Sequence, residues 1–380
     1  MLYPYFNMKN IYYTKFLSVI SGAFLILAFA ASCKKEKTTT PTVAMPTKLG
    51  LYEFGTDATL NYRQIQINVS KVGTKTVSYG MVFDTGSGGM VLDAQNIVPA
   101  SMVTTAGFVF PGDSVVVNGI TITSQKSSVT YGSNTSGATV YGNLAYAPVT
   151  IGDINGSIVV KRLPFFLYYK AVNVGGTTAA AHDFDVMGVA PIYNITFNNG
   201  VFITSPFSYF DPGTGLTKGF KMAALGTSNF SSNGYSTFVP GVVTLGLTAA
   251  DLSSSSGFVQ HQLVSYPGAG YYPIVSSTVT YNNKTLTTYA LFDSGTAPYS
   301  YIEDSTAPAT AALLPANSTV KAATTAGFTY TYTTSGTDYL TYLENPKTSG
   351  NDFSIFGLNY FLNNEYMLDL TNYKLGLKNN

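Results

Sequence analysis

Two short segments of this 380-residue chain answer each other: Met81-Val82-Phe83-Asp84-Thr85-Gly86-Ser87 and Ala290-Leu291-Phe292-Asp293-Ser294-Gly295-Thr296. Each is an apolar triplet followed by Asp, a small hydroxyl residue, Gly and a second hydroxyl residue. Two copies with matching flanks point to a duplicated half-site in which each copy delivers one carboxylate. Paired carboxylates perform acid and base chemistry together, because two such groups in one site share a proton. The only histidines, His182 and His261, have no partners at metal-ligand spacing, so neither a zinc site nor a Ser-His-Asp triad is expected. Both are read as surface or loop residues.

The flanking segments have the pattern needed to position those aspartates. Ile65, Ile67 and Val69 alternate with Gln64, Gln66 and Asn68, the period of two of a half-buried strand. A turn at Lys71 to Lys75 returns the chain as a strand from Val77 to Phe83 that delivers Asp84. The second copy follows the same plan, with a strand from Tyr272 to Tyr281, a hairpin turn at Asn282-Asn283-Lys284, and a strand from Leu286 to Phe292 ahead of Asp293. A pentapeptide, Thr104-Thr105-Ala106-Gly107-Phe108, recurs as Thr324 to Phe328 downstream of each Asp, a second echo of duplication. Helical periodicity is confined to brief Ala-rich pieces such as Ala307 to Leu314.

Composition agrees with an all-β chain: 29 Tyr, 24 Phe and 36 Gly favour strands joined by tight turns. A hydrophobic fraction of 45% supports a large core. With 20 basic and 19 acidic residues there is no electrostatic footprint for a nucleic acid, and none is expected as a partner.

At the amino-terminal end, Lys9 and Lys15 precede an apolar run from Phe16 to Ala31, with no acidic residue before Glu36. This is the layout of a secretory leader. The run closes on Ala30-Ala31-Ser32-Cys33, which resembles the lipobox of bacterial lipoproteins. The resemblance implies cleavage after residue 32, acylation of Cys33, the only cysteine, and a lipid anchor in a bacterial membrane, expected to be the outer one, facing periplasm or exterior. Residues 33–49, rich in Lys, Thr and Pro, read as a tether.

From Leu51 to Leu377 the chain resembles the pepsin family. Val129-Thr130-Tyr131-Gly132-Ser133, with Gly137 and Tyr141-Gly142 after it, is similar to the family's flap hairpin, whose tyrosine folds over substrate. Phe184 to Val189 and Ser354 to Gly357 resemble the apolar-Gly segments behind each aspartate, Gly241 to Gly246 the strand opening the second lobe, and Tyr366 to Leu377 the closing strands. The resemblance implies an all-β, bilobal pepsin-like fold, with lobes at 50–218 and 219–377 and the cleft between them. It implies an aspartic endopeptidase using Asp84 and Asp293, with Thr85 and Ser294 locking the two loops, Ser87 and Thr296 supporting the carboxylates, Gly86 and Gly295 permitting close approach, and Tyr131, Gly132 and Ser133 in the flap. No cofactor or metal is expected, the partner is a peptide or protein substrate, and the chain is expected to be a monomer. Three features depart from the family pattern: there is no Trp, Gly88-Gly89-Met90-Val91 standing where a flap-supporting Trp is usual; Leu358 replaces a Gly or Asp; and disulfides are missing. The altered flap surroundings keep open an alternative, an inactive pepsin-fold binding or inhibitor protein.

Overall fold

A computed structural model describes residues 44–55, 63–132, 137–227, 230 and 236–380. The leader 1–32, Cys33, the tether as far as residue 43, and Ser133 lie outside the described residues. The first strand, Thr47–Gly55, begins within the stretch read as tether, because Leu49 and Leu51 are buried on one of its faces.

Each half repeats one arrangement of strands. In the first, Lys75–Asp84 lies parallel to Val186–Val189, which is antiparallel to Gly88–Asp93, which in turn is parallel to Gly156–Asn173. In the second, Lys284–Phe292 lies parallel to Phe353–Phe356, then antiparallel Ser300–Glu303, then parallel Thr341–Glu344. The registers also correspond, with Gly188 opposite Asp84 and Phe356 opposite Phe292. Local chemistry explains the hairpins that feed the aspartates. Asn282 and Asn283 take φ of 44° and 63°, the left-handed pair that matches a two-residue turn to strand twist, and residues 284 to 292 return directly against Ile274–Tyr281. Pro273 interrupts the strand read from Tyr272, leaving Gly270–Tyr272 and Ile274–Tyr281 as separate strands.

The halves are joined through a 14-stranded sheet. Thr47–Gly55 pairs with Arg63–Val72 on one side and Thr237–Leu247 on the other. Thr217–Met222, Asn364–Asp369 and Lys374–Asn379 continue the sheet; the first of these straddles the expected boundary at 218/219. An aromatic core backs both aspartate loops: Phe83 packs near Phe207 and Phe220, and Phe292 near Phe356 and Tyr360, ring centroids 4.4 to 6.3 Å apart. Each such buried ring contributes about 1.5–3 kcal/mol by leaving water, so the strands that end at the aspartates are among the most firmly held.

Two sequence expectations are corrected. Ala307 to Leu314 forms no helix; Pro308 lacks the N–H a helix needs, and Ala312–Leu313 pairs instead as a short strand with Thr341–Glu344. His261 is not at the surface: it is 6% exposed within strand Val259–Gln262, where its ring nitrogens meet Leu375 O and Thr324 Oγ1. Among the described residues no helix is long and apolar enough to cross a membrane.

Candidate active site

Asp84 ends its strand and Asp293 follows its own by one residue, so both loops emerge from buried β-structure. The loops are locked by reciprocal hydrogen bonds. Thr85 N–H donates to Ser294 Oγ (3.1 Å) and Ser294 N–H to Thr85 Oγ1 (2.9 Å). Each hydroxyl then donates across the seam, Thr85 to Phe292 O at 2.9 Å and Ser294 to Phe83 O at 2.7 Å. Both residues are buried, so each bond is made in a low-dielectric setting where an unpaired group would be costly. The glycines are required by the same approach: a Cβ on Gly86 would lie 2.6 Å from Asp293 Cγ, and one on Gly295 2.7 Å from Asp84 Cγ.

Donors converge unequally on the two carboxylates. Asp84 accepts from Gly86 N–H (2.7 Å), Ser87 N–H (3.1 Å) and Ser87 Oγ (2.5 Å). Asp293 accepts from Gly295 N–H (2.8 Å) and Thr296 Oγ1 (2.5 Å). Burial pushes the Asp293 carboxyl well above the usual range, and the charge of Asp84 pushes it further, against the opposing donors Thr296 and Gly295. A shared proton therefore favours Asp293, the carboxylate with fewer donors.

The hairpin read as a flap is formed by Ile120–Gly132 and Gly137–Asp153, with Tyr131 opposite Ala138 and Gly132 opposite Gly137. The Tyr131 ring is half-buried and stacks on Phe184, centroids 6.3 Å apart at 17°. Burial, then the charge of Asp84, raises its hydroxyl above the ordinary tyrosine value. Gly88 to Val91 are buried, and Val91 belongs to the apolar cluster on which Tyr131 and Phe184 pack. The loop carrying Phe184 is anchored by carboxylates: His182 N–H donates to Asp93 Oδ2, the His182 ring meets Asp185 Oδ2 at 2.8 Å, and Asp93 N–H donates to Asp185 Oδ1.

Sequence reasoning missed the pairing of Phe184 with Tyr131, and it missed Tyr366. That tyrosine is fully buried with its hydroxyl unpartnered, and burial and then the charges of Asp293 and Asp84 raise it. Both open segments that resemble family motifs, but nothing in those motifs marks Phe184 or Tyr366 itself as a neighbour of the site. Among the described residues no three His, Cys, Asp or Glu side chains form a metal-binding group.

No known family matches the sequence, and no curated protein is a detectable relative. Solved structures are similar. An aspartic proteinase from Irpex lacteus superposes with a TM-score of 0.57 at 18% identity, over 88% of this chain and 97% of that one. The fold is pepsin-like. Basic 7S globulin from soybean shares it with a TM-score of 0.53 at 9% identity, over 88% of this chain and 96% of the globulin. Within this pepsin-like fold the two Asp-hydroxyl-Gly-hydroxyl segments face each other, and the Tyr131 hairpin stands on the side of Asp84.

Proposed function

We propose that the protein is an aspartic endopeptidase, lipid-anchored through Cys33 outside the cytoplasm, that hydrolyses peptide bonds with water activated between Asp84 and Asp293. The observation that carries this reading is the mirrored pair of buried carboxylates, each within contact distance of the other loop's glycine and each supplied with its own hydroxyl donor. With one proton shared, the charged member accepts a proton from water as the oxygen attacks the scissile carbonyl carbon. The protonated member donates to the carbonyl oxygen. A neutral tetrahedral diol forms, and its collapse passes a proton to the departing amine as the C–N bond breaks, returning the pair to its starting state with no covalent intermediate. The donor count favours Asp84 as the charged member. Tyr131 would close over the bound peptide and limit water to the one that reacts.

The absence of a tryptophan beside the flap, together with a fold neighbour whose name describes a globulin, supports a second reading: a pepsin-fold binder without turnover. One experiment separates the two. The soluble chain is incubated with denatured protein at several acid pH values, with and without pepstatin, beside Asp84→Asn and Asp293→Asn. The peptidase reading expects pepstatin-sensitive cleavage that falls by at least about 10²–10⁴-fold in each variant, the contribution of a positioned acid or base. Cleavage that survives in either folded variant refutes the mechanism, and binding without cleavage by the wild type supports the second reading.

A further inference from the structure

A cavity of about 350 Å³ opens where the segment following Val186–Val189 meets the turn between Asn364–Asp369 and Lys374–Asn379. None of the residues lining it belongs to the carboxylate loops or the flap. Tyr193 and Tyr373 both line it, and each ring is stacked on a neighbouring aromatic side chain. Tyr193 stacks on Phe202 at 3.6 Å, and Tyr373 on Tyr271 at 3.7 Å and 6°. Tyr193 N–H donates to Ala269 O, and Tyr271 N–H to Pro191 O. Tyr373 also takes φ of 53°, an uncommon conformation for a bulky residue and one that holds its ring in this position.

The polar lining is one-sided. Lys218 stands on the solvent side, its Nζ 3.3 Å from Ser208 O and without an ion-pair partner among the described residues. Thr204 Oγ1 is buried and has no hydrogen-bond partner among the described residues. Ser208 and Thr371 add hydroxyls, and no carboxylate lines the cavity among the described residues. Asp369, on the strand beside Lys218, accepts from Thr371 N–H and from Asn372 N–H and Nδ2, and forms no ion pair with Lys218 among the described residues. Two stacked tyrosines, a lysine without an ion-pair partner among the described residues and an unsatisfied hydroxyl line a cavity of small-ligand size.

We propose that this cavity binds a small aromatic carboxylate, its ring packed on the tyrosine walls and its carboxylate held by Lys218 and the Thr204 hydroxyl. The inference goes beyond the peptidase reading and does not depend on it. Such a group is offered both by free aromatic acids and by the carboxy-terminal residue of a peptide. Calorimetric titration of the full chain with N-acetyl-L-phenylalanine, its amide, phenylacetate and a short peptide ending in free Phe distinguishes the sources, each run with and without pepstatin. The acid is expected to bind one per chain and the amide about tenfold or more weakly. Lys218→Met removes that preference, Thr204→Val weakens binding, and pepstatin leaves it unchanged. Binding of phenylacetate but not of the peptide identifies free acids as the source, and binding of both admits peptide termini. Equal binding of acid and amide, an unaltered Lys218→Met, or displacement by pepstatin would overturn the assignment, whether or not the chain cleaves peptides.

Discussion

Removing one hydroxyl from each aspartate loop should move opposite limbs of the pH profile. Thr296 Oγ1 is one of two donors to Asp293, and without it only Gly295 N–H remains. A hydrogen bond to a charged group contributes about 1.5–3 kcal/mol, and one pKa unit corresponds to about 1.4 kcal/mol. Thr296 is half-buried, so water replaces part of the lost bond and the lower end of that range applies. The last proton of the pair resides on Asp293, so Thr296→Ala weakens only the doubly charged state. It should raise the upper limb by about one pH unit and leave the lower limb in place. Ser87→Ala removes one of three donors to Asp84, which is charged in both the singly and doubly ionised states. It should raise the lower limb by a similar amount and spare the upper one. The assay is kcat/KM on a quenched fluorescent peptide from strongly acid to neutral pH, with thermal melts to establish folding. Both variants moving the same limb, or an upper limb that falls in Thr296→Ala, would refute the assigned proton location.

Gly86→Ala places a methyl group 2.6 Å from Asp293 Cγ, so the loop must shift; turnover should fall about 100-fold, the effect of misplacing a reacting group by an ångström, measured with the same peptide. Glu53 is fully buried with neither carboxylate oxygen partnered, and burial pushes its carboxyl up from an ordinary 4.5 to about 8. Between those values the folded chain holds a proton that the unfolded chain has lost, so stability is greatest below the lower value and declines by about 1.4 kcal/mol per pH unit as pH rises through the window. Thermal melts across it should show Glu53→Gln losing that slope. Cys33→Ser should abolish incorporation of labelled palmitate and release the protein from the membrane fraction; labelling that persists would rule out the lipid anchor.

How far the sequence could be read depended on how local each signal was. Asp84, Ser87, Asp293 and Thr296 hydrogen-bond within their own tetrapeptides, and the strands that carry them alternate over a few residues, so a linear reading reaches them. Thr85 and Ser294 lie across the seam from each other, and their role is legible only through the resemblance to the pepsin family, not from spacing. Phe184 beneath Tyr131 had no such guide: the contact depends on a loop folded back by His182, Asp93 and Asp185. His261 was misjudged for a related reason. Its burial is made possible by Thr324 and Leu375, distant residues that satisfy both ring nitrogens. At Ala307 to Leu314, composition suggested a helix while Pro308 and an available strand edge decided otherwise.

The sheet that joins the halves has a consequence for synthesis. Strands from residues 47–55, 217–222, 237–247 and 364–379 are hydrogen-bonded in one continuous order, and each aspartate loop is locked to a loop more than two hundred residues away. A nascent chain that has made only the first half carries just one of the two site aspartates, Asp84, with the hydroxyl and glycine of the opposite loop missing. For a peptidase this is a safeguard against premature activity. On the proposed peptidase reading, the polypeptide could not cut its neighbours or itself during translation, because the carboxylate pair is assembled only when the two ends of the domain meet. Long-range pairing of this kind folds slowly, so the paired site is among the last features of the chain to form.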